Sequence, residues 1–490
     1  MRILFLNPQG NFDQNDSYWT EHPDFGGQLV YVKEIAANIA KLGHQVDIVT
    51  RRFDDDSIVG FQKPIDYYDG VRNLRIVRIS CGPNRFLIKE ELWEYLNEWV
   101  DNIVDFYHSE GERFDFVTTH YGDGGLAGAL LQKKTGVPFS FTGHSLGAQK
   151  MDKLGLNQDN LAFMLNRYQF HKRLLAERTA MFAASLIFTS TPQERDEQYT
   201  HSAYRGAGDY LNPERFVVAP PGANEDVFHH KNKNDIEDKV YRLLEKTLER
   251  DIAKSRLDLP YILSASRLDP KKNHVGLLKA YAESQALQEI ANIVISLRGV
   301  ENAFDDFSQL KPQEQVIMNE LFKLIHDYQL MGKVTFINID SQKALAASYR
   351  FFAQKRSIFT LTALYEPFGL APIEAMCAGL PVAVTKYGGP FDVLKDDETT
   401  YGVLLDVIDS DLIAKGLIQA FKHYEYYQKQ GLYRVKTAFT WENTAKIYIE
   451  AIQNRLQNPI KSTLDIHPYF ESPTQHELTF DIVKDVYFNL

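Results

Sequence analysis

A chain of 490 residues is too long for a single hydrophobic core and calls for roughly two to four domains. With 44% hydrophobic and 24% charged residues it has the composition of an ordinary folded protein, which excludes a collagen-like, low-complexity or disordered chain. A net charge of −11 argues against a nucleic-acid or anionic-membrane partner while leaving room for a local basic pocket.

Taken in chain order, the first apolar run, Ile3–Leu6, is too short for a signal segment or a membrane span and reads as a buried strand. From Gln28 the residues Val32, Ile35, Ala36, Ile39 and Ala40 recur at helical spacing. Further strands are predicted at Val46–Thr50, Leu74–Arg78, Phe116–Thr119, Phe139–Thr142, Leu186–Thr189 and Phe216–Ala219. Short apolar runs alternating with amphipathic ones imply strand–helix units and a parallel sheet. The charge-rich stretch 235–256 reads as a linker or surface helix. A second strand–helix series follows, with strands at Tyr261–Ser264, Ile293–Leu297, Val334–Ile337, Ile358–Leu361, Pro381–Thr385 and Val403–Leu405. The expected domains are therefore 1–234 and 257–456, with a tail from about 457 to 490 packing back on the first. The two cysteines, Cys81 and Cys377, lack metal-ligand spacing, as in a reduced and cytoplasmic chain.

Glu366-Pro-Phe-Gly-Leu-Ala-Pro-Ile-Glu374 is the most informative segment. The proline holds Glu366 out of helical conformation, and Glu374 lies within the helix opening near Leu370. Two hydroxyl-binding carboxylates then flank a helix start whose N–H groups suit an anion, the design of a nucleotide-sugar pocket. Arg267 and Lys272 follow the strand that ends near Ser266, at the edge where open α/β sheets bind ligands, and two cations there suit a diphosphate. An isolated pair of this kind is more often solvated surface charge. Gly26, Gly27 and Gln28 stand just before the first long helix, where small residues expose N–H groups. His144 follows the strand Phe139–Thr142. Asp123 is either a turn aspartate or a sugar contact.

The chain resembles the retaining GT-B glycosyltransferases of family 4, and within them the bacterial sucrose-phosphate synthase family. The match is carried by Phe5-Leu-Asn-Pro-Gln-Gly, the segment from Ser17 to Val32, Thr119-His-Tyr-Gly-Asp-Gly-Gly, Thr142-Gly-His-Ser-Leu-Gly-Ala-Gln-Lys, Ser266-Arg-Leu-Asp-Pro-Lys-Lys-Asn-His and the Glu366–Glu374 segment. The resemblance implies an α/β fold of the GT-B type, two tandem Rossmann-like doubly wound domains facing across a cleft. It assigns the donor to Gly26, Gly27, Arg267, Lys272, Asn338, Ile339, Glu366, Phe368, Gly369, Leu370 and Glu374. It assigns the acceptor to Gly26, Gln28, Lys89, Tyr121, Ser145, Lys150 and Arg173, the three cations gripping a phosphate. His144, Arg267, Lys272 and Glu366 are the implied catalytic set, with Asp123 a further candidate.

The implied reaction passes glucose from UDP-glucose or ADP-glucose to fructose 6-phosphate, giving sucrose 6-phosphate with retained configuration. No cofactor is required, with magnesium at most a stimulant, and a separate sucrose-phosphate phosphatase is expected downstream. No C-terminal phosphatase segment is legible in the sequence. Three alternatives stay open: a sucrose synthase using free fructose, a mannosylfructose-phosphate synthase using GDP-mannose, and a non-catalytic nucleotide-sugar sensor. The absence of a long N-terminal regulatory segment and the basic trio Lys89, Lys150 and Arg173 weigh against the first.

Overall fold

The computed structural model describes residues 1–19, 27–208, 212, 214–460 and 464–488, which leaves Gly26 of the expected site outside the described residues. The chain forms two units, Met1–Pro220 with Thr444–Leu490, and Pro221–Asn443.

In the first unit the strands are β1 (Arg2–Leu6), β2 (Gln45–Arg52), β3 (Ile65–Asp66), β4 (Leu74–Ser80), β5 (Phe116–His120), β6 (Phe139–Thr142), β7 (Leu186–Thr189) and β8 (Phe216–Val218). They pair in the order β3-β4-β2-β1-β5-β6-β7-β8, all parallel except the short β3. Two residues carry no periodicity, which is why β3 has no signature in the sequence. Polar groups under the sheet are paired: the buried Asp47 carboxylate accepts from Arg2, Arg75 and the Tyr107 hydroxyl.

The second unit contains β9 (Tyr261–Ser264), β10 (Asn292–Leu297), β11 (Val334–Asn338), β12 (Ile358–Leu361), β13 (Val382–Thr385) and β14 (Val403–Leu405). Their order is β11-β10-β9-β12-β13-β14, parallel throughout. Successive residues enter opposite cores: Leu263 packs with Phe359 and Leu361 on one face, Ile262 with Ile293 and Ile295 on the other. A sheet buried on both faces is the reason its strands read as continuous apolar runs. Both units are Rossmann-like.

The unit boundaries differ from the expected ones, falling at 220/221 and 443/444 instead of near 234 and 456. The helix Glu237–Asp251, read from its charge as a linker or surface helix, buries Val240, Leu244 and Leu248 in the core of the second unit. Its anchor is a buried ion pair, Arg350 with Glu237, at 2.6 Å. The helix Trp441–Gln457 leaves the second unit and rejoins the first, where the Tyr448 ring stacks on Phe188 at 3.6 Å and its hydroxyl meets those of Tyr31 and Thr142. Farther along, Phe470 packs against Trp93 and Phe480 against His171. Among the described residues no helix is long and apolar enough to cross a membrane.

Candidate active site

In a doubly wound sheet the ligand crevice opens where the strand order reverses, beyond the carboxyl ends of the strands. In the second unit that point lies between β9 and β12. Arg267 and Lys272 follow β9, and Glu366 follows β12, so residues 94 apart in sequence meet: Lys272 Nζ donates to Glu366 Oε2 at 2.5 Å. Arg267, three residues beyond the end of β9, is exposed. The donor-site expectation has Lys272 and Glu366 serving different parts of a ligand, and in the free protein each serves the other.

The Glu366 loop is shaped by a second loop that sequence reasoning passed over. Glu366 N–H donates to the Tyr387 carbonyl and Gly389 N–H to the Glu366 carbonyl, both at 3.0 Å. Gly388 has φ +104, and a Cβ there would lie 2.1 Å from the Glu366 carbonyl oxygen. Only glycine permits this approach. The signal was present as Gly388-Gly389-Pro390 after β13, a loop motif at a strand's carboxyl end.

Beyond the loop, Gly369 in the left-handed region (φ +96) opens the helix Leu370–Cys377. Phe368 is half-buried against Phe439. Glu374 lies in the helix, half-buried, and desolvation pushes its carboxyl up to about 8. Asn338 and Ile339 end β11, two strands from β9 and so roughly 10 Å along the sheet edge. The Ile339 N–H is already donated to the Leu297 carbonyl, and the Asn338 amide holds Gly299 N–H and Glu301. Of the Ile339 main chain, the carbonyl is the group a base can read.

In the first unit the order reverses between β1 and β5. A Cβ on Gly124 would come within 2.8 Å of the Leu6 carbonyl, so the helix Tyr121–Thr135 begins directly against the end of β1. Gln28, in the first turn of the helix Gly27–Lys41, donates to Asn7 Oδ1 at 2.7 Å. Gly27 and Gln28 thus stand in the helix's first turn, at the start the sequence reading placed around Gln28. Asp123 is fully buried, with Oδ1 on Gly124 N–H and burial pushing the carboxyl up to about 6. It belongs to the helix's first turn and is no loop aspartate.

Tyr121 and His144, at the ends of β5 and β6, both take positive φ, +68 and +54. Non-glycine residues held there are strained, a property that clusters at binding sites. Burial pushes the His144 imidazole down to about 3, so it is neutral at physiological pH.

Arg173 lies over the Tyr121 ring at 4.3 Å. It is nearly buried, giving Nε to Glu177 at 2.7 Å and Nη2 to the Ser145 carbonyl at 2.5 Å. Of the wide guanidinium edge expected for a phosphate, Nη1 is the nitrogen with no partner among the described residues. Burial opposes the charge, but Tyr121 and Glu177 more than restore it, and the pKa lies above the ordinary value. Lys89 opens the helix Lys89–Leu92, and it and Arg173 both act electrostatically on Tyr121 and Asp123. Lys150 lies on the helix Gly147–Lys153 with its ammonium over the rings of Tyr168 and Phe170. Ser145 is exposed between them in sequence, at the turn into that helix.

Glu177 was not foreseen. Fully buried, it accepts from Arg173, from Gly147 N–H at 3.0 Å and from the Tyr204 hydroxyl, joining two helices of the basic cluster. The i,i+4 spacing to Arg173 was its one trace in the sequence. Among the described residues no group of three or more His, Cys, Asp or Glu could hold a metal ion.

Comparison with known proteins bears on the family and the fold. Residues 26–221 match the family described as glycosyl transferase 4-like domain, and residues 245–435 that of glycosyl transferases group 1. A protein of Thermosipho melanesiensis described as a probable sucrose-phosphate synthase is 42% identical over 92% of this chain and 96% of its own length. Sucrose-phosphate synthase of Zea mays is 31% identical over 89% of this chain, which spans 46% of that longer protein. The solved structure of a sucrose-phosphate synthase from Thermosynechococcus elongatus matches with a TM-score of 0.63 at 21% identity, covering 93% of this chain and 99% of that one, a likeness of fold. With near-full-length identity of this order joined to two Rossmann-like units, the chain is a hexosyltransferase belonging to the sucrose-phosphate synthase family.

Proposed function

We propose that the protein transfers glucose from UDP-glucose, with ADP-glucose the alternative donor, to the anomeric hydroxyl of fructose 6-phosphate. The observation that carries the donor half is the Lys272–Glu366 pair at the reversal of the second sheet, with the exposed Arg267 following the same strand as Lys272. A diphosphate entering there takes the ammonium of Lys272 and the guanidinium of Arg267, and frees Glu366 to accept from hydroxyls of the glucose. Glu374 accepts from the ribose.

The acceptor half rests on Arg173, Lys89 and Lys150. A buried arginine whose charge is sustained by Glu177, and which keeps Nη1 uncommitted among the described residues, suits a phosphomonoester better than a neutral ketose. In the reaction the bond between glucose C1 and the diphosphate oxygen breaks and a bond from C1 to the fructose oxygen forms on the same face. The proton of the attacking hydroxyl passes to the departing diphosphate, whose charge Arg267 and Lys272 stabilise. Removal of the product's phosphate falls to a separate phosphatase.

The test is nucleotide release by the purified protein, with UDP-, ADP- and GDP-sugars crossed against fructose and fructose 6-phosphate. Faster release with fructose 6-phosphate than with fructose is expected; equal rates would overturn the acceptor, and a preference for GDP-mannose the donor.

A further inference from the structure

The tail of the chain, 464–488, belongs to the first unit and touches each of the three helical segments that bear the basic trio. Lys89 opens the helix Lys89–Leu92, and Trp93, which directly follows it, packs on Phe470 with ring centroids 6.4 Å apart. Arg173 lies on the helix Phe170–Ala183, where His171 meets the Phe480 ring edge-to-face at 4.9 Å. Lys150 lies on the helix Gly147–Lys153, whose Asp152 accepts from the Tyr487 hydroxyl. Asp152 also accepts from His201 at 3.1 Å, since the Ala203 N–H occupies His201 Nδ1 and leaves the ring's proton on Nε2. The Tyr487 ring is stacked on that of His201, so this last anchor is a ring contact as well as a hydrogen bond.

Residues two apart on an α-helix point about 200° from each other, so His171 and Asp152 face away from Arg173 and Lys150. The tail thus holds both helices from the side opposite their cations. The helices that bear Lys89 and Lys150 have four and seven residues and no side-chain cap. Isolated helices shorter than about 12 residues are marginal in water, so what packs on these two decides where their lysines stand. The tail itself is well anchored, with Phe470 and Val483 fully buried in the core of the first unit.

We infer that the segment 464–488 is a strap that sets the spacing of Lys89, Lys150 and Arg173, with Phe470, Phe480 and Tyr487 as positioning residues for the sugar phosphate. This rests on the reading above, in which those three cations hold the acceptor's phosphate. Three cations grip one phosphomonoester only where they converge, and a displacement of roughly 1 Å in one helix weakens the grip. Arg267, Lys272 and Glu366, assigned to the donor, belong to the second unit, so loosening the strap leaves them as they are. A tail that only covered apolar surface would change stability and treat both substrates alike.

The test uses Tyr487→Ala and Phe480→Ala, both at partly buried positions, so that the core anchors Phe470 and Val483 are retained. Nucleotide release gives the KM for fructose 6-phosphate, expected to rise about three- to tenfold in each variant, and the KM for UDP-glucose, expected to change less than about twofold. Tyr487→Phe keeps the ring on His201 and should show a smaller rise than Tyr487→Ala. Hydrogen exchange without substrate should be faster over residues 147–153 in Tyr487→Ala. Equal changes in the two Michaelis constants, no change in either, or unchanged exchange overturns the inference. Lys150→Ala separates that failure from failure of the acceptor reading, because it raises the KM for fructose 6-phosphate whenever the trio holds the phosphate, whatever the strap does. If Lys150→Ala has no such effect, both fall.

Discussion

Arg173 Nε and Glu177 Oε1 lie 2.7 Å apart on consecutive turns of one helix, both side chains almost wholly excluded from solvent. Removing one partner strands a buried charge, which typically costs about 3–5 kcal/mol. Arg173→Ala should therefore lower the melting temperature and raise the KM for fructose 6-phosphate by about ten- to a hundredfold, with a small effect on the donor. Should Arg173→Ala fail to fold, Arg173→Lys keeps a cation for Glu177 but cannot also reach the Ser145 carbonyl, and the same split between acceptor and donor KM is expected. Equal changes in both would show that Arg173 acts on stability alone.

The Lys272–Glu366 pair predicts opposite kinetic signatures for its two members. Lys272→Ala should weaken binding of the nucleoside diphosphate itself, measured by calorimetry without acceptor, about tenfold or more. Glu366→Gln removes the competing carboxylate, so diphosphate affinity should hold or improve while turnover falls. Parallel losses in both variants would contradict separate roles.

Glu374 makes a pH prediction. Its carboxyl is raised from 4.5 to about 8 in the folded protein. A raised pKa means that the folded state binds more protons than the unfolded one between these values, so this contribution to stability is full below pH 4.5 and lost as the pH rises through 8. Glu374→Gln should flatten the stability profile over that window. Ribose hydroxyls donating to Glu374 favour its charged form, so nucleotide binding near neutral pH should release a proton. Calorimetry in buffers of different ionisation enthalpy reads that release, which should vanish in Glu374→Gln.

Gly388→Ala places a methyl group 2.1 Å from the Glu366 carbonyl oxygen, at φ +104. The loop must shift, at a strain of about 1–3 kcal/mol, and Glu366 with it. Turnover should drop at least about tenfold while circular dichroism stays that of the folded protein, since the displaced backbone costs orientation. An active, merely less stable Gly388→Ala would separate this loop from the chemistry.

Most strands were legible because their evidence is local: Ile358–Leu361 or Phe139–Thr142 declares itself in four consecutive residues dominated by aromatic and β-branched side chains. The helix Glu237–Asp251 misled because its charges mask a buried stripe of Val240, Leu244 and Leu248, and its domain is decided by Arg350, more than a hundred residues away. The sequence by itself determined the two doubly wound halves, the family motifs and the chemical types at each strand end. Tertiary structure alone decided the partners: Lys272 on Glu366, Gly388 under Glu366 and Glu177 behind Arg173. Periodicity and turn chemistry are properties of a dozen neighbouring residues, whereas these pairings depend on strand order. Reversal of the sheet between β9 and β12, and between β1 and β5, is what sets the ends of distant strands side by side.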